Sequence, residues 1–247
     1  MVIRKNINKK FALISVFNKT KLRYLCSNLN RHDYEFISTG KTAKKIRSLG
    51  YRCLEVSQIT KFKEILEGRV KTLNPKIYGS ILYKRDNKKH IKEFELLKVP
   101  KIDLVIINLY PFENFKMEKD EKKIIEMIDI GGPSLLRAAS KNYNYITTIC
   151  TLDDYKNLIY NLDNNNSETD IKFRKKMAAK AFNKISRYDY SISRWIGTNE
   201  QLDKKQILRY GENPNQSSFI INSKSISISD LKISGKDLSY NNIIDVD

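Results

Sequence analysis

The stretch Gly68-Arg69-Val70-Lys71-Thr72-Leu73-Asn74-Pro75 sets two cations two positions apart with a hydroxyl beside them. On extended backbone, side chains at i and i+2 share a face, so Arg69 and Lys71 would point together, and Thr72 would add a neutral donor and acceptor. That combination suits an oxyanion. Its bland alternative is a solvated basic edge. Gly68 permits a backbone angle that other residues avoid, and Pro75 drives Asn74 away from helical angles and marks a turn. A second stretch capable of chemistry is Asp129-Ile130-Gly131-Gly132-Pro133, a carboxylate next to backbone that a ligand can approach closely. A helix cap is the alternative there. Tyr110 ends a long apolar run and Lys141 ends a helical pattern, where packing and complementing a helix dipole are the ordinary duties of such residues.

The elements that must carry these groups alternate in type. Phe11 to Val16 is an apolar run of strand character, followed by Asn18-Lys19-Thr20 and a helical pattern on Leu22, Leu25, Cys26 and Leu29. The unit repeats: Tyr34 to Ser38 reads as a strand, Thr39-Gly40-Lys41-Thr42 as a turn, and Ala43 to Leu49 as a helix closed by Gly50. Cys53 to Val56 opens another strand. Such alternation predicts an α/β fold, a mostly parallel sheet with helices on both faces. Ligands collect in such folds at the carboxyl ends of the strands, where helix N-termini offer free N–H groups. A phosphate there would meet Lys19, the hydroxyls of Thr39 and Thr42, and the backbone around Gly40. Taken alone, Ser-Thr-Gly-Lys-Thr is a weak motif, because most such turns are helix caps.

Farther along, a helix is predicted near Lys88 to Lys98, and Ile102 to Tyr110 predicts a strand buried on both faces whose polar end, Asn108-Leu109-Tyr110, falls at the same edge. Asp120 to Met127 is amphipathic, and Pro133 suits the first turn of a helix over Ser134 to Lys141. Tyr145 to Cys150 predicts a strand and Leu152 to Leu162 a helix. From Glu168 to Trp195 the apolar positions keep a helical rhythm, a core or subunit-interface stripe. Gly197 marks the expected boundary, giving domains over 1–197 and 198–247. Beyond it comes a turn-rich segment over Ile207 to Gln216, then one or two strands between Ser217 and Ile228.

With 40% hydrophobic and 30% charged residues among 247, the chain has the makeup of a soluble globular protein. A net charge of +18 would ordinarily suggest nucleic acid, but Lys is spread from end to end without a basic block or a base-reading module, so no nucleic-acid partner is expected. No apolar run follows the charged start, and none approaches the roughly 20 residues of a membrane span, so no membrane partner and a cytoplasmic setting are expected. Cys26, Cys53 and Cys150 lack metal or redox spacing, and His32 and His90 have no ligand-like neighbours, so no metal site is expected.

Together, Leu13-Ile14-Ser15-Val16 with Lys19-Thr20, Ser38-Thr39-Gly40 with Thr42, Gly68 to Leu73, Asn108 to Phe112, Asp129 to Pro133, Ala139 to Asn142 and Arg209-Tyr210-Gly211-Glu212-Asn213-Pro214 resemble the bifunctional purine biosynthesis family that joins AICAR transformylase to IMP cyclohydrolase. The resemblance runs from Ala12 to Asp247. It implies a methylglyoxal-synthase-like cyclohydrolase domain to about residue 197, then an incomplete α/β segment that opens the transformylase domain. It further implies ring closure of 5-formamidoimidazole-4-carboxamide ribotide (FAICAR) to IMP, with Lys71, Tyr110, Asp129 and Lys141 as the catalytic set. Lys19, Thr39, Gly40, Lys41, Thr42, Arg69, Thr72, Asn108, Leu109, Ile130, Gly131 and Gly132 match its nucleotide-binding positions. Arg209, Tyr210 and Asn241 match substrate positions of the transformylase. No cofactor is implied for the cyclohydrolase, and 10-formyltetrahydrofolate only with a complete transformylase domain, whose activity is not expected here. The resemblance implies a homodimer acting on a purine ribonucleotide. The alternative is a noncatalytic nucleotide- or phosphate-binding module derived from that enzyme. The sequence departs from the family at Phe17, Lys41, Asn74, Ser80 and Asn215. A positive φ forced on Lys41, where the family has a second glycine, would cost about 1 kcal/mol or more.

Overall fold

A computed structural model of the chain describes residues 9–197, 204–208 and 218–222. The chain divides into two compact units, 1–192 and 193–247. In the first, β1 (Lys10–Val16), α1 (Leu22–Arg31), β2 (Tyr34–Ser38), α2 (Gly40–Ser48), β3 (Cys53–Glu55) and α3 (Val56–Thr60) follow one another. Next come α4 (Pro75–Leu82), α5 (Lys88–Leu97), β4 (Ile102–Asn108), α6 (Phe112–Phe115), α7 (Glu121–Glu126) and α8 (Gly131–Lys141). β5 (Thr147–Ile149), α9 (Asp154–Asn164) and α10 (Ile171–Ile196) complete the series, α10 running on past Ile192. In the second unit β6 (Lys204–Leu208) pairs antiparallel with β7 (Ser218–Asn222). β7 falls in the expected strand region, whereas part of β6 comes from the segment read as turn-rich.

The five strands of the first unit form one sheet in the order β3-β2-β1-β4-β5, every pair parallel. Both faces are covered, which is why β1 and β4 are near-continuous apolar runs. Ala12, Ile14, Val16, Leu104 and Ile106 face α1, α2, α9 and the start of α10. Leu13, Ile37, Val105 and Ile107, pointing the other way, are as deeply buried, and α4 and α8 pack on that side. After β3 the chain crosses back beside β1 to form β4, so the carboxyl ends of β1 and β4 flank the point where the winding reverses. Open α/β sheets bind ligands in the crevice there.

Local boundaries shift for physical reasons. α2 starts at Gly40 rather than Ala43, because Thr39 takes extended angles (φ −122, ψ 149) and serves as its N-cap position. The strand expected from Tyr145 is confined to Thr147–Ile149, since Tyr145 and Ile146 still donate their N–H groups to the Asn142 carbonyl after α8. Asn74, extended at φ −140, caps α4 by accepting the Lys76 N–H at 3.0 Å. At the opposite edge of the sheet His32 is buried, with Nδ1 2.8 Å from Ser167 Oγ and Nε2 3.1 Å from Asp163 Oδ1, which pins the turn leading into α10. All three cysteines are buried and free; burial pushes the Cys26 thiol up to about 12, and those of Cys53 and Cys150 to about 11. Among the described residues no helix is long and apolar enough to cross a membrane.

Asn142 supplies a long-range cap. Its Nδ2 donates to the carbonyls of Ile81 (2.7 Å) and Tyr83 (3.1 Å) at the end of α4, where helix carbonyls otherwise lack partners. Asn142→Ala strands buried acceptors and is expected to cost about 1–3 kcal/mol in urea denaturation; an unchanged midpoint would refute this role.

Candidate functional site

Parallel register brings the strand ends together: Ile14 pairs with Ser38 and Val16 with Asn108. The residues just after each strand therefore share one rim. On it, Lys19 is part-buried and donates its Nζ to the carbonyls of Val16 (3.0 Å) and Phe17 (3.1 Å). Burial first, and then the neighbouring charge of Lys41, lower its pKa. Two cations thus stand close together beside the turn of Thr39 and Gly40. Gly40 carries the positive φ of +42 and Lys41 does not, so the feared strain at Lys41 is absent.

The strand end of β4 leads to the second group. Leu109 abuts α8 so tightly that a Cβ on Gly132 would sit 2.8 Å from Leu109 Cδ2 and 2.4 Å from Asp129 Oδ2. A Cβ on Gly131 would sit 2.7 Å from Thr72 Oγ1. The glycine pair is therefore demanded by the close approach of Thr72, Leu109 and Asp129 to the first turn of α8. Asp129 Oδ1 accepts the Gly132 N–H at 2.8 Å, so the cap reading and the ligand-facing reading coexist in one carboxylate. Burial raises the Asp129 pKa, while the Gly132 N–H and the charge of Lys71 oppose the rise. Lys71 is thus the cation that faces this acid.

Tyr188, from α10, completes the group. Its Oη accepts the Asp129 N–H at 2.8 Å and donates to the Met127 carbonyl at 2.9 Å, fixing the backbone from 127 to 129. Burial is the main cause that pushes its phenol up to about 12, with the fields of Asp129 and Tyr110 adding to it. Tyr110 packs edge-on against Phe17 at 5.2 Å and lies near enough to Tyr188 to add to the rise of its phenol pKa. Tyr188 belongs to the 168–195 stripe read as core or subunit interface; its hydroxyl is the signal that it does more, since a buried phenol needs a partner.

Several expectations are corrected. Arg69 and Lys71 do not share an extended face: Arg69 has helical angles (φ −62, ψ −32) after the tight turn at 66–68, and its guanidinium pairs with Glu126. The Thr42 hydroxyl is buried and donates to the Val16 carbonyl at 3.1 Å, tying α2 to the end of β1. The Asn108 side chain accepts from Asn18 N at 2.8 Å and donates to Asn18 O at 3.0 Å, which shapes the loop after β1. Lys141 lies exposed in the last turn of α8. Ile130 is exposed at the N-cap position of α8. Arg209, Tyr210 and Asn241 lie outside the described residues. Among the described residues no group of three or more His, Cys, Asp or Glu is placed to hold a metal ion.

This sheet, with its rim of glycine turns and helix starts, is an MGS-like domain, the family model that residues 21–134 match. Residues 139–247 match the model of the AICARFT/IMPCHase bienzyme. Similar curated proteins are the bifunctional purine biosynthesis proteins PurH of Clostridioides difficile, 42% identical over 251 residues, and of Clostridium botulinum, 44% identical over 251. Those alignments take in 96% of this chain but 49% and 50% of the relatives, so the chain spans about half the length of the curated relatives it matches. A solved structure titled crystal structure of ForH superposes with a TM-score of 0.70 at 27% identity, covering 77% of this chain and 98% of that one. Over 96% of its length the chain is thus similar to bifunctional purine biosynthesis proteins.

The raised Asp129 pKa has a definite sign for stability. A carboxyl that binds its proton more tightly when folded than when unfolded favours the fold on the acid side. That contribution is lost as pH rises from the ordinary carboxylate value through the folded one. Asp129→Asn keeps an acceptor for Gly132 N–H and removes the desolvated charge, so its melting temperature at neutral pH should equal or exceed that of the parent. The gap should narrow in acid. A marked fall at neutral pH would show that the charge itself stabilises the fold.

Proposed function

We propose that this chain is an IMP cyclohydrolase, closing the ring of FAICAR to IMP with loss of water, and that it assigns no transformylase chemistry to the residues up to 247. The observation that supports this most directly is the part-buried Asp129 carboxylate facing Lys71 at the start of α8, in a chain 42–44% identical to bifunctional PurH proteins. Nucleophile and electrophile already belong to one molecule, so the site has to hold the reactive rotamer, stabilise an oxyanion and move protons. Asp129 accepts a proton as the carboxamide nitrogen bonds to the formyl carbon, and the formyl oxygen becomes the hydroxyl of a carbinolamine. That hydroxyl then leaves as water with the hydrogen of the former formamido nitrogen, which creates the last ring double bond. Lys71, with Tyr110 on the adjoining wall, stabilises the oxygen as charge builds on it. A carboxylate whose pKa is raised by burial is a stronger base than a solvated one, which suits this task.

The nucleotide phosphate falls to the rim of Lys19, Lys41 and Thr39. By the same likeness the substrate is a purine ribonucleotide and the assembly a homodimer. Purified chain mixed with FAICAR should show the absorbance change of purine formation, and nucleotide binding without that change would leave the noncatalytic module standing. Lys71→Ala and Asp129→Asn should each lose ~10²–10⁴ in kcat while remaining folded. Because Asp129 must be ionised to accept a proton, the acidic limb of kcat should lie above the usual carboxylate range and vanish in Asp129→Asn; unchanged rates in both variants would remove these roles.

A further inference from the structure

Asp129 sits in the short link 127–130 between α7 and α8. α7 anchors that link weakly, because a helix of six residues is marginal by itself and Ile124 is its one buried residue. A firmer hold comes from far along the chain. The Tyr188 hydroxyl, 59 positions from Asp129, accepts the Asp129 N–H at 2.8 Å and donates to the Met127 carbonyl at 2.9 Å.

Tyr188 is itself fixed. The buried stripe of α10, Met177, Ala178, Ala181, Ile185 and Tyr188, ends on it, and its ring meets the buried ring of Phe112 edge-on at 6.3 Å. The ring alone would satisfy that packing. What the hydroxyl adds is a bond to each of two successive peptide groups, the carbonyl that precedes Ile128 and the N–H that follows it. Peptide groups are planar, so holding both fixes the rotations at Ile128 and with them the direction in which Asp129 presents its carboxylate. There Oδ1 takes the Gly132 N–H, which leaves Oδ2 to accept a proton.

The phenol has no proton to give a substrate. It lines the cleft of about 980 Å³ at the carboxyl ends of β1, β4 and β5 together with Tyr110, yet its proton is committed to the Met127 carbonyl. Burial pushes the phenol up to about 12, so that proton stays in place across the neutral range.

We infer that Tyr188 is a positioning residue for the ring closure: its hydroxyl holds the peptide groups on either side of Ile128 and so aims the Asp129 carboxylate at the substrate nitrogen. The inference rests on the reading of Asp129 as proton acceptor. Lys71 also acts on Asp129, and Asp189 and Tyr110 act on the phenol; all three remain when the hydroxyl is removed.

Tyr188→Phe keeps the ring and removes the hold. With FAICAR, kcat should fall ~10–10²-fold, the scale of a misplacement of about 1 Å, while KM stays near the parent value. The freed Asp129 N–H and Met127 carbonyl draw in water, so the carboxyl rehydrates and the acidic limb of kcat should move down toward the ordinary carboxylate range. A purely structural role would lower the melting temperature and leave that limb in place. Hydrogen exchange followed by NMR gives a reading that needs no variant: in the parent the Asp129 amide should be protected although it lies outside both helices. An unprotected amide there would overturn the inference. So would Tyr188→Phe with the parent's kcat and acidic limb, or with a raised KM and unchanged kcat, since Tyr188 would then hold substrate and not the acid. A parent chain without turnover sinks the cyclohydrolase reading and this inference together; an active parent matched by Tyr188→Phe sinks this inference alone.

Discussion

A carboxylate held partly out of water at the start of a helix governs the arrangement of the first unit. Leaving water costs an ionised acid several kcal/mol unless dipoles and charges replace its hydration. For Asp129 the replacement comes from the Gly132 N–H at the start of α8 and the Lys71 charge, while the Tyr188 hydroxyl on α10 holds the backbone that carries the carboxylate. Only glycine permits the approach at 131 and 132, because the space of a Cβ is already taken by Thr72, Leu109 and Asp129 itself. The sheet is the frame that makes this possible, since β4 delivers Leu109 to the same rim at which α8 begins.

Much of that frame was legible in the sequence. The apolar runs at 11–16 and 102–108, alternating with helical patterns and punctuated by glycine, required a buried parallel sheet, and its register then placed the strand ends side by side. The site was only partly legible. Types and spacing pointed to Lys71, Asp129 and the glycine pair, but direction depends on backbone angles that spacing does not reveal. Arg69 turned away because Leu66 and Glu67 adopt positive φ before it, a conformation that no residue type there announces. Thr42 and Asn108 also hydrogen-bond neighbouring backbone, which their types and spacing do not reveal.

Tyr188 illustrates the converse failure. A helical stripe read from periodicity assigns every member to packing, and it assigned this one too. Packing explains the ring, which lies 6.3 Å from that of Phe112, but not the hydroxyl. The preceding residue of α10, Arg187, lines the same cleft at the carboxyl ends of the strands as Tyr188 does, so packing and site-lining fall to successive residues of one helix. Periodicity alone cannot divide such labour, because it records which side a residue takes and not what its polar atoms meet.

The three sealed sulfhydryls carry a consequence of their own. Cys26 lies on the buried face of α1, Cys53 on the outermost strand and Cys150 just past β5, and burial raises the pKa of each thiol. Alkylating reagents attack the thiolate, so modification at any of the three registers only those moments when its own region has come apart. The protein thereby contains three built-in clocks of local opening, and their relative ticking would rank the edges of the sheet by how often they breathe.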